Sequence, residues 1–123
     1  MKYSLVILLG LVLELAGCAS EYKSHASGNT SASYALVYEA AKQSAPENNF
    51  SITNANSATG QIRAEHGADM GKEFLFIEVL KGSPNTVDIY VEAAPGTKGK
   101  AQDSVQKIIK SMKSRVLDFT VAK

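Results

Sequence analysis

The sequence has little of several residue types on which binding and catalytic sites depend. It contains one cysteine, two histidines, three prolines and no tryptophan. A single cysteine excludes an internal disulfide, and no nucleophile elbow accompanies the histidines. We therefore expect a protein that is not an enzyme, needs no cofactor and holds no metal. A hydrolase would need a nucleophile within hydrogen-bond reach of His66.

The charge also lacks a dominant sign. Thirteen basic residues face twelve acidic ones, which gives a net charge of +1. This balance offers no electrostatic reason to expect nucleic acid as a partner. Neither a phosphate-binding glycine loop nor basic residues interleaved with aromatics are present.

The first residues form an export signal. Lys2 is followed by an apolar run over residues 5–13 and then by Glu14. The run is shorter than the roughly 20 apolar residues of a membrane-spanning helix. A short basic start, an apolar stretch and small residues before a cleavage point are typical of a secretory signal peptide.

The end of this signal resembles the lipobox of bacterial lipoproteins. Leu15, Ala16, Gly17 and Cys18 match its pattern of an aliphatic residue, two small residues and a cysteine. The resemblance implies that Leu15, Ala16 and Gly17 are recognised by the signal peptidase and that residues 1–17 are removed. It also implies lipidation of Cys18, including palmitate. Two or more acyl chains anchor a protein stably to a membrane.

The lipobox also bears on localisation. Ala19 and Ser20 follow the cysteine, so the aspartate that retains lipoproteins in the inner membrane is absent. In a Gram-negative host the resemblance implies a lipoprotein anchored to the outer membrane on its periplasmic side.

The mature chain divides into a tether, one domain and a tail. Residues 18–32 are predicted to be a lipidated flexible tether, because small polar residues dominate and no apolar period appears. Residues 33–117 form the single domain, and residues 118–123 a C-terminal tail. A chain of this length has room for one core.

Two amphipathic helices are predicted at the ends of the domain. Residues 33–45 place apolar side chains on one helical face, and Pro46 ends the helix. Residues 101–117 carry a second apolar stripe. It consists of Val105, Ile108, Ile109, Met112 and Val116.

Four strands are predicted between the helices. Residues 50–54, 61–65 and 86–93 alternate between apolar and polar, whereas residues 74–80 form a continuous apolar run typical of a central strand. The fold class is therefore α+β, a two-layer sandwich with a four-stranded antiparallel sheet covered by two helices, in the order α-β-β-β-β-α. The open face of the sheet is expected to carry Gln61, Arg63, Tyr90, Ser51 and Thr53.

Two polar clusters are candidate sites. Glu65, His66 and Asp69 combine carboxylates with an imidazole, but their spacing matches no established metal site, and a solvated loop is expected. Lys107, Lys110 and Lys113 share the polar face of the last helix and form a candidate interaction surface. Its partner would be an envelope protein or anionic lipid headgroups, and the alternative is a solvated helix face.

The domain resembles small bacterial lipoproteins of unknown function in the pattern of Phe50, Ile52, Thr59, Gly60, Ile62 and Ala64. The element order is also similar to the helix-grip domains of the lipoprotein C subunit of the outer-membrane protein assembly machine. These resemblances imply a non-enzymatic, lipid-anchored interaction module in the cell envelope. The alternative is a small carrier or sensor that binds an apolar ligand between the sheet and the helices.

Overall fold

The computed structural model describes residues 23–67, 71–93 and 99–122 and shows an α+β sandwich of two helices and an antiparallel sheet. This confirms the predicted class and both helices. The sheet has six strands rather than the predicted four. In chain order the elements are β1 (Lys23–Thr30), α1 (Tyr34–Glu47), β2 (Ser51–Asn56), β3 (Gln61–His66), β4 (Glu73–Leu80), β5 (Asn85–Ala93), α2 (Lys100–Arg115) and β6 (Thr120–Val121).

The first additional strand, β1, corrects the prediction of a flexible tether over residues 18–32. It pairs antiparallel with β5 along its whole length, from Lys23 opposite Glu92 to Thr30 opposite Asn85. Its inward positions hold small residues, so no apolar period marks the strand in the sequence. Gly28 is the extreme case, because a Cβ atom there would lie 2.5 Å from the ring of Phe119.

The second additional strand, β6, lies in the predicted tail. Thr120 and Val121 pair with Asn29 and Gly28 of β1, so β1 is an interior strand between β5 and β6. Just before β6, the Asp118 carboxylate accepts hydrogen bonds from the hydroxyls of Thr30 and Ser31 and from the Ser31 N–H. The folded domain therefore extends beyond the predicted range of residues 33–117 at both ends.

The strands are ordered β2-β3-β4-β5-β1-β6, with both helices on one face. α1 packs on β2, β3 and β4, whereas α2 packs on β5 and β1, and the two helices contact each other. The core between the layers is fully buried. Its largest side chains are Ile62, Leu75, Ile77, Ile89, Ile108 and Met112.

The first helix continues beyond its predicted end at residue 45. Pro46 lies in its last turn, so the hydrogen bond that proline cannot donate is missing at the end of the helix rather than in its interior. The helix ends at Glu47, and two residues later Asn49, with a φ of 67°, allows the Phe50 N–H to donate to the Ala45 carbonyl at 2.9 Å. This is a left-handed helix cap, and asparagine is among the residues that accept that conformation.

Gly28 provides a test of the inserted strand. Gly28→Ala should lower the free energy of unfolding by about 1–3 kcal/mol, because the added methyl group would overlap Phe119 and the backbone oxygen of Thr120. Chemical denaturation would measure this. The matched control is Gly71→Ala, since a Cβ at Gly71 would meet no atom within 4 Å. Equal stability of the two variants would contradict the packing of β1 under the C-terminal segment.

Asp118 makes the same junction sensitive to acid. Hydrogen bonds from Ser31, then Thr30, lower the pKa of Asp118 to about 2. A carboxylate with a depressed folded-state pKa contributes stability above its unfolded pKa of about 4, and this contribution disappears as the pH falls towards 2. Asp118→Asn should therefore destabilise the domain at pH 7 but not near pH 2. The control is Glu92→Gln at an exposed position. Urea unfolding at both pH values would show whether the difference disappears.

Candidate functional site

The predicted lipidation site lies outside the described residues. This holds for Cys18 and for the recognition residues Leu15, Ala16 and Gly17. Within residues 23–67, 71–93 and 99–122, no helix is long and apolar enough to cross a membrane. The export signal and the lipid therefore stay predictions from sequence.

The lysines of the candidate interaction surface lie on the outer side of the helix layer. Lys107, Lys110 and Lys113 are exposed on α2, while Ile108 and Met112 on the same helix are buried against the sheet. Next to them Arg115 donates to Glu47, which ties the C-terminal end of α2 to that of α1. The three lysines thus form one cationic strip that faces away from the sheet.

The acidic cluster around His66 is divided by the sheet. Glu65 and His66 are successive residues of β3, so their side chains point to opposite faces. Glu65 pairs with Lys72 at 3.2 Å on the open face, whereas His66 Nδ1 donates to the Asn49 carbonyl at 2.8 Å on the other. Asp69 lies outside the described residues, and those that are described hold no group of three acidic, histidine or cysteine ligands.

His66 lines a small cavity at the end of the sandwich, with a volume of about 250 Å³. The buried carboxylate there is that of Glu73, which is 2% exposed and accepts a hydrogen bond from the Ser104 hydroxyl at 2.6 Å. This bond satisfies part of the carboxylate inside the protein, as a buried polar group requires. The cavity is too small for most ligands, which occupy pockets of about 300–1,000 Å³.

The larger concavity lies on the open face of the sheet and has a volume of about 820 Å³. Its floor is a row of residues that are neighbours across four strands. We call this the aromatic row, and it consists of His25, Tyr90, Phe76 and Arg63. The row brings together the predicted open-face residues Tyr90 and Arg63, and Thr53 lies at its β2 side.

Ring contacts run through the whole aromatic row. The rings of His25 and Tyr90 are stacked, with centroids 4.2 Å apart and planes 5° from parallel. The centroids of the Tyr90 and Phe76 rings are 6.0 Å apart. The Arg63 guanidinium lies 4.8 Å from the centre of the Phe76 ring. Aromatic pairs and a cation over a ring face are attractive in this geometry. The row is therefore a continuous aromatic surface with a cation at one end.

A second row flanks the aromatic one at the edge nearest Lys23. Phe74 is its centre and is 49% exposed, with the carboxylates of Glu65 and Glu92 on either side. Lys72 lies 5.7 Å from the Phe74 ring and also pairs with Glu65. Apolar rings are thus bordered by both signs of charge, with no excess of either.

The central strand predicted over residues 74–80 is β4, and its side chains alternate between the two faces of the sheet. Leu75, Ile77 and Val79 point into the core, together with Glu73 at the start of the strand. Phe74 and Phe76 point outward, and Tyr90 on β5 is likewise 42% exposed. His25 was also missed, because it was placed in the tether.

Between the layers, the core side chains of the described residues are buried. Val37 and Ala41 of α1 and Ile108 of α2 are fully buried against the sheet. Within the described residues, the larger concavity is on the open face, outside the sandwich. An apolar ligand between the sheet and the helices would have to displace core side chains.

No protein-family model matches the sequence, and no curated protein does. Among solved structures, the chain is similar to the crystal structure of TTHA0849 from Thermus thermophilus. The two chains are 15% identical with a TM-score of 0.42, and the alignment covers 77% of this chain and 97% of that one. A likeness of this strength says nothing about what either protein binds.

Adjacent residues of β4 test whether the exposed rings belong to a binding surface or to the core. Phe74→Thr should change the free energy of unfolding by less than about 1 kcal/mol, because the ring is half exposed and threonine suits a strand. Leu75→Ala, at a position 2% exposed, should cost about 2–5 kcal/mol. Chemical denaturation of both variants gives the comparison. A loss at Phe74 as large as that at Leu75 would show that the ring is needed for folding.

Proposed function

We propose that this chain is a lipid-anchored protein of the cell envelope that acts as a non-enzymatic interaction module. The anchor is the lipid on Cys18, and the location is the periplasmic side of the outer membrane if the host is Gram-negative. The support for the anchor is the lipobox-like sequence Leu15–Cys18 after an apolar run.

The observation that supports the interaction module most directly is a group of large apolar side chains exposed together on one face of the sheet. The core of the domain is buried, whereas Phe74 and Tyr90 are 49% and 42% exposed on a concave sheet face. Large apolar side chains gathered at one place on a surface mark sites of interaction, since isolated ones carry no such meaning. Tyrosine and arginine, both in the aromatic row, are enriched where binding energy concentrates.

The helix layer offers a second surface of different chemistry. Lys107, Lys110 and Lys113 present three cations on the side of the domain opposite the aromatic row. An acidic patch on another envelope protein, or anionic lipid headgroups, would complement them. The two surfaces allow the domain to connect two partners, because they lie on opposite sides of the sandwich.

A second candidate function is the transport or sensing of a small apolar ligand. The observation in its favour is the concavity of about 820 Å³, a volume within the range of ligand sites and lined by aromatic side chains with a few polar groups. This ligand would lie on the open face of the sheet rather than between the sheet and the helices.

Crosslinking in the native host, combined with lipid labelling, tests the proposal. A photo-reactive residue is placed at Tyr90 on the open face or at Lys110 on the cationic strip, and cells are fed labelled palmitate. We expect palmitate on the protein, a discrete protein adduct from at least one position, and loss of palmitate in Cys18→Ala. The control is a photo-reactive residue at Glu39, which is exposed on α1.

The outcomes separate the hypotheses. Palmitate that persists in Cys18→Ala would contradict the lipid anchor. A lipidated, folded protein with no protein adduct from Tyr90 or Lys110 would contradict the interaction module and favour the carrier.

A further inference from the structure

We infer that the open face of the sheet lies against the lipid surface to which the protein is anchored, so that the cationic strip on α2 faces away from the membrane. This inference rests on the lipid anchor of the proposed function. It assigns one occupant, the headgroup region of a bilayer, to the concave face and leaves the helix face for a protein partner.

The length of chain between the lipid and the sheet is the first reason. β1 starts at Lys23, and only residues 19–22 separate it from Cys18. Five Cα–Cα steps span at most about 17 Å even when fully extended. The flexible tether predicted over residues 18–32 would have allowed the domain far more freedom than this.

The position where the chain enters the sheet is the second reason. Lys23 is both the first residue of β1 and part of the lining of the concavity. The open face is thus beside the attachment point. The outer surface of α2 lies farther away by at least the thickness of one helix, about 10–12 Å. With so short a connection, the sheet face is the broad surface that the lipid holds nearest to the bilayer.

The aromatic side chains suit this location. Phe74 and Phe76 offer apolar rings, and Tyr90 combines a ring with a hydroxyl. Tyrosine is enriched where hydrocarbon meets headgroups, because its ring is apolar and its tip is polar. Contact with the bilayer would remove from water the rings that the fold leaves exposed.

The charged side chains of the face are compatible with phosphate headgroups. Arg63 has a long apolar stem and lies over the Phe76 ring, so its guanidinium can reach a headgroup phosphate while the stem contacts apolar surface.

The carboxylates of the face each have a neighbouring donor, so they do not form an exposed anionic patch. Lys72 pairs with Glu65 at 3.2 Å, His25 with Asp88 at 3.4 Å, and the Gln61 amide donates to Glu78 at 3.2 Å. Glu92 lies opposite Lys23 in the strand register. Lipid phosphates would therefore meet a face whose negative charges are already accompanied by donors.

The test uses the mature lipidated protein in vesicles of phosphatidylethanolamine and phosphatidylglycerol. Because the lipid occupies the thiol of Cys18, Thr53→Cys or Lys110→Cys would carry the only free thiol of each variant. Thr53 lines the concavity and Lys110 lies on the cationic strip. A spin label on each thiol then reports its collisions with oxygen, which dissolves in lipid, and with a water-soluble nickel chelate.

We expect the label at position 53 to collide with the nickel chelate about tenfold less often than the label at position 110, because a charged chelate is excluded from the bilayer. Adding Phe74→Thr and Tyr90→Thr to Thr53→Cys should remove most of this protection. The control is the same labelled protein without its lipid, as Cys18→Ala in solution, where both exposed positions should be accessible to the chelate.

Equal accessibility of the two labels in vesicles, with the lipid confirmed by mass spectrometry, would overturn the inference and leave the lipid anchor intact. A protein without lipid would instead overturn the anchor and, with it, the inference. A protein adduct from Tyr90 in native membranes would assign the open face to a protein partner, which contradicts the inference but supports the interaction module.

Discussion

The pairing of β1 with β5 is the constraint on which the rest of the architecture depends. It adds an interior strand beneath α2 and supplies the only partner of β6 in the sheet order. The Asp118 carboxylate then joins the end of β1 to the segment after α2 through Thr30 and Ser31. β1 thus joins the two ends of the described chain, and β5 is paired with a strand on each side.

The same pairing builds the candidate site. The aromatic row begins with His25, which reaches Tyr90 only because β1 is in register with β5. From there the row continues through Phe76 to Arg63, so four strands each supply one side chain. A site assembled from neighbours across strands needs each strand in register, since a shift of one residue in any strand would turn the side chain that it contributes to the other face.

The elements that the sequence predicts well are those with a clear apolar period. Both helices carry stripes that face the core, and β3 and β5 alternate as expected. β1 shows no such signal, because Ser24, Ala26 and Gly28 point inward where apolar residues would otherwise stand. At Gly28 no larger residue fits, because Phe119 occupies the adjacent space. Only the long-range contact reveals why this position is small.

The site was predicted in part for a related reason. Arg63 and Tyr90 occupy the outward positions of strands that alternate between apolar and polar residues, so their place on the open face follows from periodicity alone. Phe74 and Phe76 sit in an unbroken apolar run, in which periodicity cannot tell an outward ring from an inward one. The alternating burial of β4 distinguishes them, since Leu75 and Ile77 fill the core while the two rings do not.

The polar edges of the sheet suggest how the exposed rings avoid uncontrolled association. At one edge, β2 is exposed along its length and interrupted by a register shift between Ile52 and Asn54. At the other, β6 has only two residues. Short or irregular edge strands resist pairing with other chains. Because the edges disfavour association through backbone hydrogen bonds, the rings of the open face are reached through that face and not along the edges of the sheet. A partner or surface must therefore meet the rings face-on, and a lipid attached a few residues before Lys23 would hold the domain in reach of such a surface.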